Sequence, residues 1–166
     1  MIKVNNENFP DIYAQLKNSI YAVAYNYLQN SSDACDIMQD SFVKLIESNQ
    51  KFNDLDHIKA WVIRVCINAS KNYLRDNKRH NEIQIIDFMS NYIASSNKEF
   101  DPNVLQAVLS LPEKYRIPIH LFYYEDYSIK EIAAVLAISE SATKVRLKRG
   151  RDILRKKLEK ELVYSV

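Results

Sequence analysis

Arg64, Asn68, Lys71 and Arg75 fall at i, i+4, i+7 and i+11, so a helix through them presents cations and an amide on one face. Asn72 and Lys78 lie close to that stripe. Cations and amides on one exposed face suit phosphate oxygens and base edges. A second basic set holds Lys144, Arg146, Lys148, Arg149, Arg151, Arg155, Lys156, Lys157 and Lys160, opposed between 144 and 160 only by Asp152 and Glu159. A third set is acidic: Asp33, Asp36, Asp40 and Glu47. Acids in a first helical turn favour the helix dipole, which accounts for Asp33 and Asp36 but not for Asp40 or Glu47.

Other chemistries find no support. His57, His80 and His120 have no Ser or Cys partner at an interpretable spacing, so no nucleophile–base pair is expected. The single glycine excludes a glycine-rich phosphate loop. The acidic set includes no histidine and no Glu-x-x-His pairs, so no metal is expected. Cys35 and Cys66 form no CxxC and sit in apolar helical patterns, which reads as buried free thiols. The expectation is a protein without catalytic residues, metal or cofactor.

These side chains need helices to hold them. One glycine and four prolines in 166 residues argue against sheets and tight hairpins. With 47% hydrophobic and 27% charged residues, the chain can bury a core. A first helix is expected over 10–29, with Phe9, Tyr13, Leu16, Ile20, Val23, Ala24, Tyr27 and Leu28 on one broad face. A second, over 33–48, buries Ala34, Ile37, Met38, Phe42, Leu45 and Ile46 and turns the acids outward. A third runs over 57–76 on a stripe of Ile58, Trp61, Val62, Val65 and Ala69. Periodicity places Trp61 in the core, and stacking on a base is the other reading. The acidic 33–56 followed by the basic 57–80 suggests two kinds of partner.

The pattern fades over 81–103, which reads as a linker with a short helix near 83–92. Domains are thus expected over 1–80 and 104–166. In the second, a helix opens at Val104 and another at Pro112, where an interior Pro118 removes one hydrogen bond. Ser128 and Glu131 then form an S-x-x-E capping box, followed by Ile129, Ile132, Ala133 and Leu136 on one face. Ala137-Ile138-Ser139 breaks the pattern, and Ser139 can cap the basic helix. A capped short helix, a tight turn and a basic second helix make a helix-turn-helix, the arrangement that enters a DNA major groove. The fold class is all-α, as two small helical domains. The opening residues lack an apolar signal core, and no apolar run nears the roughly 20 residues of a membrane span, so a cytoplasmic protein is expected.

Several segments in order resemble the extracytoplasmic-function type of bacterial RNA polymerase sigma factors, of the sigma-70 family. D-A-C-D-I-M-Q-D-S-F over 33–42 resembles that family's D-A-E-D-L-V-Q-E-V-F, and A-W-V-I-R-V-C-I-N over 60–68 its A-W-L-x-x-I-A-x-N. L-P-E-K-Y-R over 111–116 resembles L-P-E-R-x-R. Residues 128–136 resemble S-x-x-E-I-A-x-x-L, and 140–147 match E-G-T-V-K-S-R-L at Glu140, Lys144, Arg146 and Leu147.

The resemblance implies a partner set of core polymerase (β′ clamp helices and β flap), promoter DNA and an anti-sigma factor. It implies polymerase contacts for Asp33, Asp36, Gln39 and Asp40. It gives the minus-ten element to Arg64, Asn68, Lys71, Asn72 and Arg75. It gives the minus-thirty-five element to Ser141, Ala142, Lys144, Val145 and Arg146, with Lys148, Arg149 and Arg151 on phosphates. The chain departs from the pattern at Ala137 and Ser141, where glycine is common, at Thr143, where an aliphatic is usual, at Asn72, where aspartate is usual, and at Pro118. The competing reading is a helix-turn-helix regulator acting without polymerase. It leaves the acidic set and the Arg64–Arg75 stripe unexplained.

Overall fold

The computed structural model describes residues 1–77 and 101–164. The short helix expected over 83–92, with Lys78, Arg79 and His80, lies outside the described residues, as do residues 81–100 of the expected linker. The chain divides into two compact units, Met1–Ser96 and Asn97–Val166. The described residues form seven helices and one pair of two-residue strands, which is the expected all-α class with one small addition.

In the first unit, α1 spans Phe9–Leu28, α2 Ser31–Glu47 and α3 Leu55–Asp76. Two expected starts move earlier, each to a capping side chain. Asn30 Oδ1 accepts from the Asp33 amide at 2.9 Å, so α2 begins at Ser31. Asp54 Oδ1 accepts from the His57 amide at 2.8 Å, so α3 begins at Leu55. All of α1 from Ile20 to Leu28 is buried, because α1 packs on both α2 and α3 and no side is left for solvent.

The buried face of α3 also differs from the expected stripe. Ile58, Val62, Ile63, Cys66, Ile67 and Ser70 are buried, whereas Trp61, Val65 and Ala69 are half-buried. The helix is rotated toward α1: Cys66 Sγ donates to the Ile20 carbonyl at 3.6 Å. On α2, Ser41 is buried and Ile46 is 43% exposed, the reverse of the expectation for Ile46. The Ser41 hydroxyl is satisfied by the Ile37 carbonyl at 2.7 Å, so the core accepts it.

The strands were not expected. β1, Ile2–Lys3, pairs antiparallel with β2, Lys51–Phe52, in the register Ile2↔Phe52. Neither is long enough to show a period-two pattern, so no sequence signal marks them.

In the second unit, α4 spans Pro102–Leu109, α5 Glu113–Tyr123, α6 Ile129–Leu136 and α7 Glu140–Tyr164. Helix α4 begins before Val104 because Asp101 accepts from the Asn103 amide at 2.8 Å and Pro102 suits a first turn. Helix α5 continues through Pro118. The missing amide would have bonded the carbonyl of Lys114, in the exposed first turn, where water can replace it. Val108, Leu111, Ile119 and Leu147 form the centre of this core.

Candidate nucleic-acid and polymerase interfaces

On α2, Asp36, Gln39 and Asp40 are exposed and share one face by their spacing. Asp33 stands apart: it is half-buried, with one carboxylate oxygen out of contact with water. Val43 and Ile46, 49% and 43% exposed, continue the same face toward Glu47. The sequence reading did not identify these two as surface residues. Their signal was their offset of seven and ten from Asp36, which keeps them on the acidic side.

On α3, Arg64, Asn68, Lys71, Asn72 and Arg75 are all exposed, and the helical spacing makes them one stripe. Arg75 Nε donates to Asp76 Oδ1 at 3.3 Å, with both side chains well exposed, a pairing of little strength that leaves the guanidinium available. Trp61 lies edge-on to Phe52, with ring centroids 5.9 Å apart and planes at 75°. That contact is a packing role at the border of the stripe.

The helix-turn-helix forms as expected. Ser128 Oγ accepts from the Glu131 amide at 3.1 Å, and Glu131 Oε2 accepts from the Ser128 amide at 2.7 Å. Ala137 ends α6 in the left-handed conformation, φ 55° and ψ 44°. Ser139 Oγ then accepts from the Ala142 amide at 3.0 Å and starts α7. The Thr143 departure is accommodated, since its buried hydroxyl donates to the Ser139 carbonyl at 3.0 Å.

The α7 residues divide by position. Ser141, Val145, Lys148 and Arg149 are exposed, and Ala142 is half-buried. Val145 is 46% exposed, an apolar group on the outer face beside cations. Such a group suits a thymine methyl. Lys144 is exposed, whereas Arg146 is half-buried. Arg151 donates to the Tyr123 hydroxyl at 3.2 Å, which tethers it to α5. The Lys114 ammonium first, with the Arg149 guanidinium as a lesser cause, holds the Tyr115 phenol below its ordinary range against the upward push of desolvation.

Farther along α7, Lys157 is engaged by the protein, while Arg155, Lys156 and Lys160 stay exposed. Lys157 donates to Ser110 Oγ at 2.7 Å and to its carbonyl at 3.3 Å, at the C-terminal end of α4. Arg155 donates to Asp152 at 2.9 Å. Beside this part of α7, Val104, Val108, Ile119, Tyr123, Leu154 and Leu158 line an apolar groove of about 590 Å³. Among the described residues, no group of three or more His, Cys, Asp or Glu is placed to hold a metal ion. No described helix is long and apolar enough to cross a membrane.

Comparison with known proteins agrees with this geometry. Residues 12–80 match the family described as Sigma-70 region 2, and residues 102–154 match Sigma-70, region 4. The chain is 30% identical over 148 residues to the RNA polymerase sigma factor SigV of Bacillus subtilis, covering 87% of each. It is 28% identical over 171 residues to the ECF RNA polymerase sigma factor SigW of the same organism, covering 94% of this chain and 91% of the relative. The sigma factor RpoE of Bartonella quintana, solved in complex with the anti-sigma factor NepR, shares the fold with a TM-score of 0.68 at 20% identity, over 92% of this chain and 98% of that one. The chain belongs to the sigma-70 family of RNA polymerase sigma factors, in its extracytoplasmic-function group.

Proposed function

We propose that this sigma factor divides promoter-specific initiation among three exposed helical faces. The face of α2 holds core polymerase through Asp36, Gln39 and Asp40, with Asp33 at its edge and Val43 and Ile46 adding apolar contact to the β′ clamp helices. The stripe Arg64, Asn68, Lys71, Asn72 and Arg75 on α3 takes the minus-ten element and holds its opened strand. The start of α7 reads the minus-thirty-five element: Ser141, Ala142, Lys144, Val145 and Arg146 toward bases, Lys148, Arg149 and Arg151 toward phosphates. Phosphate contacts supply salt-dependent affinity and base contacts supply the choice of promoter.

The observation that supports this division is the exposure of Asp36, Gln39 and Asp40 on one helix and of the whole Arg64–Arg75 stripe on the next, within one unit. A plain DNA-binding regulator has no use for the first of these. The apolar groove beside α7 offers the second unit a surface for the β flap. An anti-sigma protein is the further partner this reading expects, and the cytoplasm, where polymerase and promoters are, its compartment. The protein itself makes and breaks no bond.

The test is direct. The purified chain is added to core polymerase and initiation is mapped on a genomic library. Promoter-dependent initiation is the expected result, and absence of both core binding and initiation overturns the reading. A regulator acting alone would shift duplex DNA without polymerase. The paired changes Asp36→Lys and Asp40→Lys should weaken core binding while leaving helical content intact, and unchanged core affinity would refute the role given to α2.

A further inference from the structure

The match to Sigma-70 region 2 begins at residue 12, yet the preceding residues are structured: they touch α2 directly and reach α3 through β2. Ile2–Lys3 pairs with Lys51–Phe52 in the connection between α2 and α3. Val4 is buried. The return into α1 is held by side chains: Asn8 Nδ2 donates to the Lys3 carbonyl at 2.9 Å, Asn8 Oδ1 accepts from the Asn5 amide at 2.9 Å, and Asn5 Oδ1 accepts from the amides of Glu7 and Asn8. Phe9 then sets its ring 6.1 Å from that of Phe42 on α2. At the other end, the strand partner Phe52 is fully buried and packs nearly perpendicular to the rings of His57, at 5.3 Å, and Trp61, at 5.9 Å, both on α3.

Residues 2–9 thus link β2, whose Phe52 packs on the first turns of α3, to Phe42 of α2. The two helices carry the faces assigned above to polymerase and to the minus-ten strand. The connection between them, 48–54, is short and polar, and the two-residue β2 has no other strand partner among the described residues.

We propose that the β1 segment is a brace: by pinning Phe52 it positions α3, through Trp61, so that the polymerase-bound chain presents the Arg64–Arg75 stripe in the orientation that captures opened DNA. Ile2, Val4 and Asn8 act as positioning residues and touch neither DNA nor polymerase. The inference rests on the division of labour proposed above, and it makes a separate claim about the free chain. Without the strand pairing, Phe52 loses its cover and the Trp61 edge becomes accessible, whatever partner the protein has.

Both claims are read in one set of proteins: the full chain, an Ile2→Pro/Val4→Asp double variant and Asn8→Ala. Proline at position 2 removes the backbone N–H, aspartate is costly at the buried position 4, and the Asn8 change removes the amide clamp without touching the core. Trp61 is the only tryptophan, so iodide quenching of its fluorescence reports this junction directly. Quenching should rise in both variants, more in the double one, with helical content unchanged. In reconstituted polymerase, core affinity should stay at the parental level while initiation from duplex promoter falls by up to about a hundredfold in the double variant, the scale that a misplacement of about an ångström produces. A template already open at the minus-ten element should restore initiation.

Unchanged Trp61 quenching in both variants overturns the brace. So does an equal loss on duplex and pre-opened templates, or a loss of core binding in step with initiation, since these are the marks of a general folding role. If the double variant fails to fold, Asn8→Ala decides on the same quenching and template ratio. Failure of the parent chain to initiate at any promoter sinks the proposed function and leaves the quenching result to settle the brace alone.

Discussion

Gly150 of α7 sits so close to Ile119 of α5 that a Cβ on it would lie 2.9 Å from Ile119 Cγ1 and 3.2 Å from Cδ1. A mid-helix glycine gives up about 1 kcal/mol of helix propensity relative to alanine. Ile119 is 1% exposed and packed with Val108, Leu111 and Leu147, and the atom approached is its branch carbon Cγ1 rather than a free chain end, so moving it disturbs that packing. Overpacking of a tight core costs about 1–3 kcal/mol, which exceeds the propensity gain. Gly150→Ala should therefore lower the stability of the second unit by about 1 kcal/mol in urea unfolding. In an Ile119→Ala background the same change should become stabilising, because only the helical gain remains. A stabilising effect of Gly150→Ala in the parent would show that the contact relaxes freely.

Ala137 makes the turn of the helix-turn-helix at φ 55°, where an L-residue with a Cβ is strained by roughly 1–2 kcal/mol. It is exposed, so no packing is lost by trimming it. Ala137→Gly should raise the stability of the second unit, and with it the melting temperature, by a net of at most about 1 kcal/mol once the extra freedom of unfolded glycine is subtracted. Ala137→Val should lower it by more than that, since branching adds strain at positive φ. A melting temperature unchanged in both variants would mean that the turn adopts another conformation in solution.

The turn also shows what was legible in the chain beforehand. The capping box at Ser128 and Glu131, the break at Ala137 and the restart at Ser139 were readable because each is a local exchange between a side chain and nearby amides. The stripes on α2 and α3 were readable because polar residues keep helical spacing. Three things were not. Rotation of α3, which buries Ile63 and Ile67 beside the expected Cys66 and leaves Val65 half out, depends on two neighbouring helices at once. Exposure of Ile46 breaks the usual link between apolar character and burial. The β1–β2 pair joins residues about fifty apart through two residues each, a tertiary fact with no local signature.

Cys66 gives a pH dependence. Burial pushes its thiol up to about 12, with the neighbouring Ser70 and Ser41 hydroxyls pulling the other way. The folded chain then keeps a proton that the unfolded chain loses above the ordinary thiol value. The folded state binds more protons in that interval, so stability is fully present below it and is lost as pH rises toward about 12. The contribution is about 1.4 kcal/mol per pH unit over the affected range. Urea unfolding followed by Trp61 fluorescence should lose stability from pH 9 to 10 with a steeper slope in the parent than in Cys66→Ala. Equal slopes would mean that Cys66 ionises in place. A thiol reagent should reach the half-buried Cys35 first and Cys66 only through opening of the unit.

The residues proposed to face DNA should separate by salt. Lys71 and Arg149 are exposed cations, and the proposed function puts both on phosphates or at the phosphate edge of the opened strand. Each neutralised phosphate contributes about 0.9 to the slope of log affinity against log salt on duplex DNA, and about 0.7 on an opened single strand. Lys71→Ala and Arg149→Ala should each reduce that slope by about the corresponding amount in promoter binding by the polymerase complex, with the preferred sequence unchanged. Arg149→Ala should also return the Tyr115 hydroxyl part of the way to the ordinary phenol range, since Lys114, the larger cause, remains. Val145 carries no charge and is 46% exposed on the outer side of α7, so Val145→Ala should leave the slope alone and alter preference at one position of the minus-thirty-five element. A slope change for Val145→Ala, or a sequence change for Lys71→Ala confined to the minus-thirty-five element, would contradict the placement of these two residues on separate promoter elements.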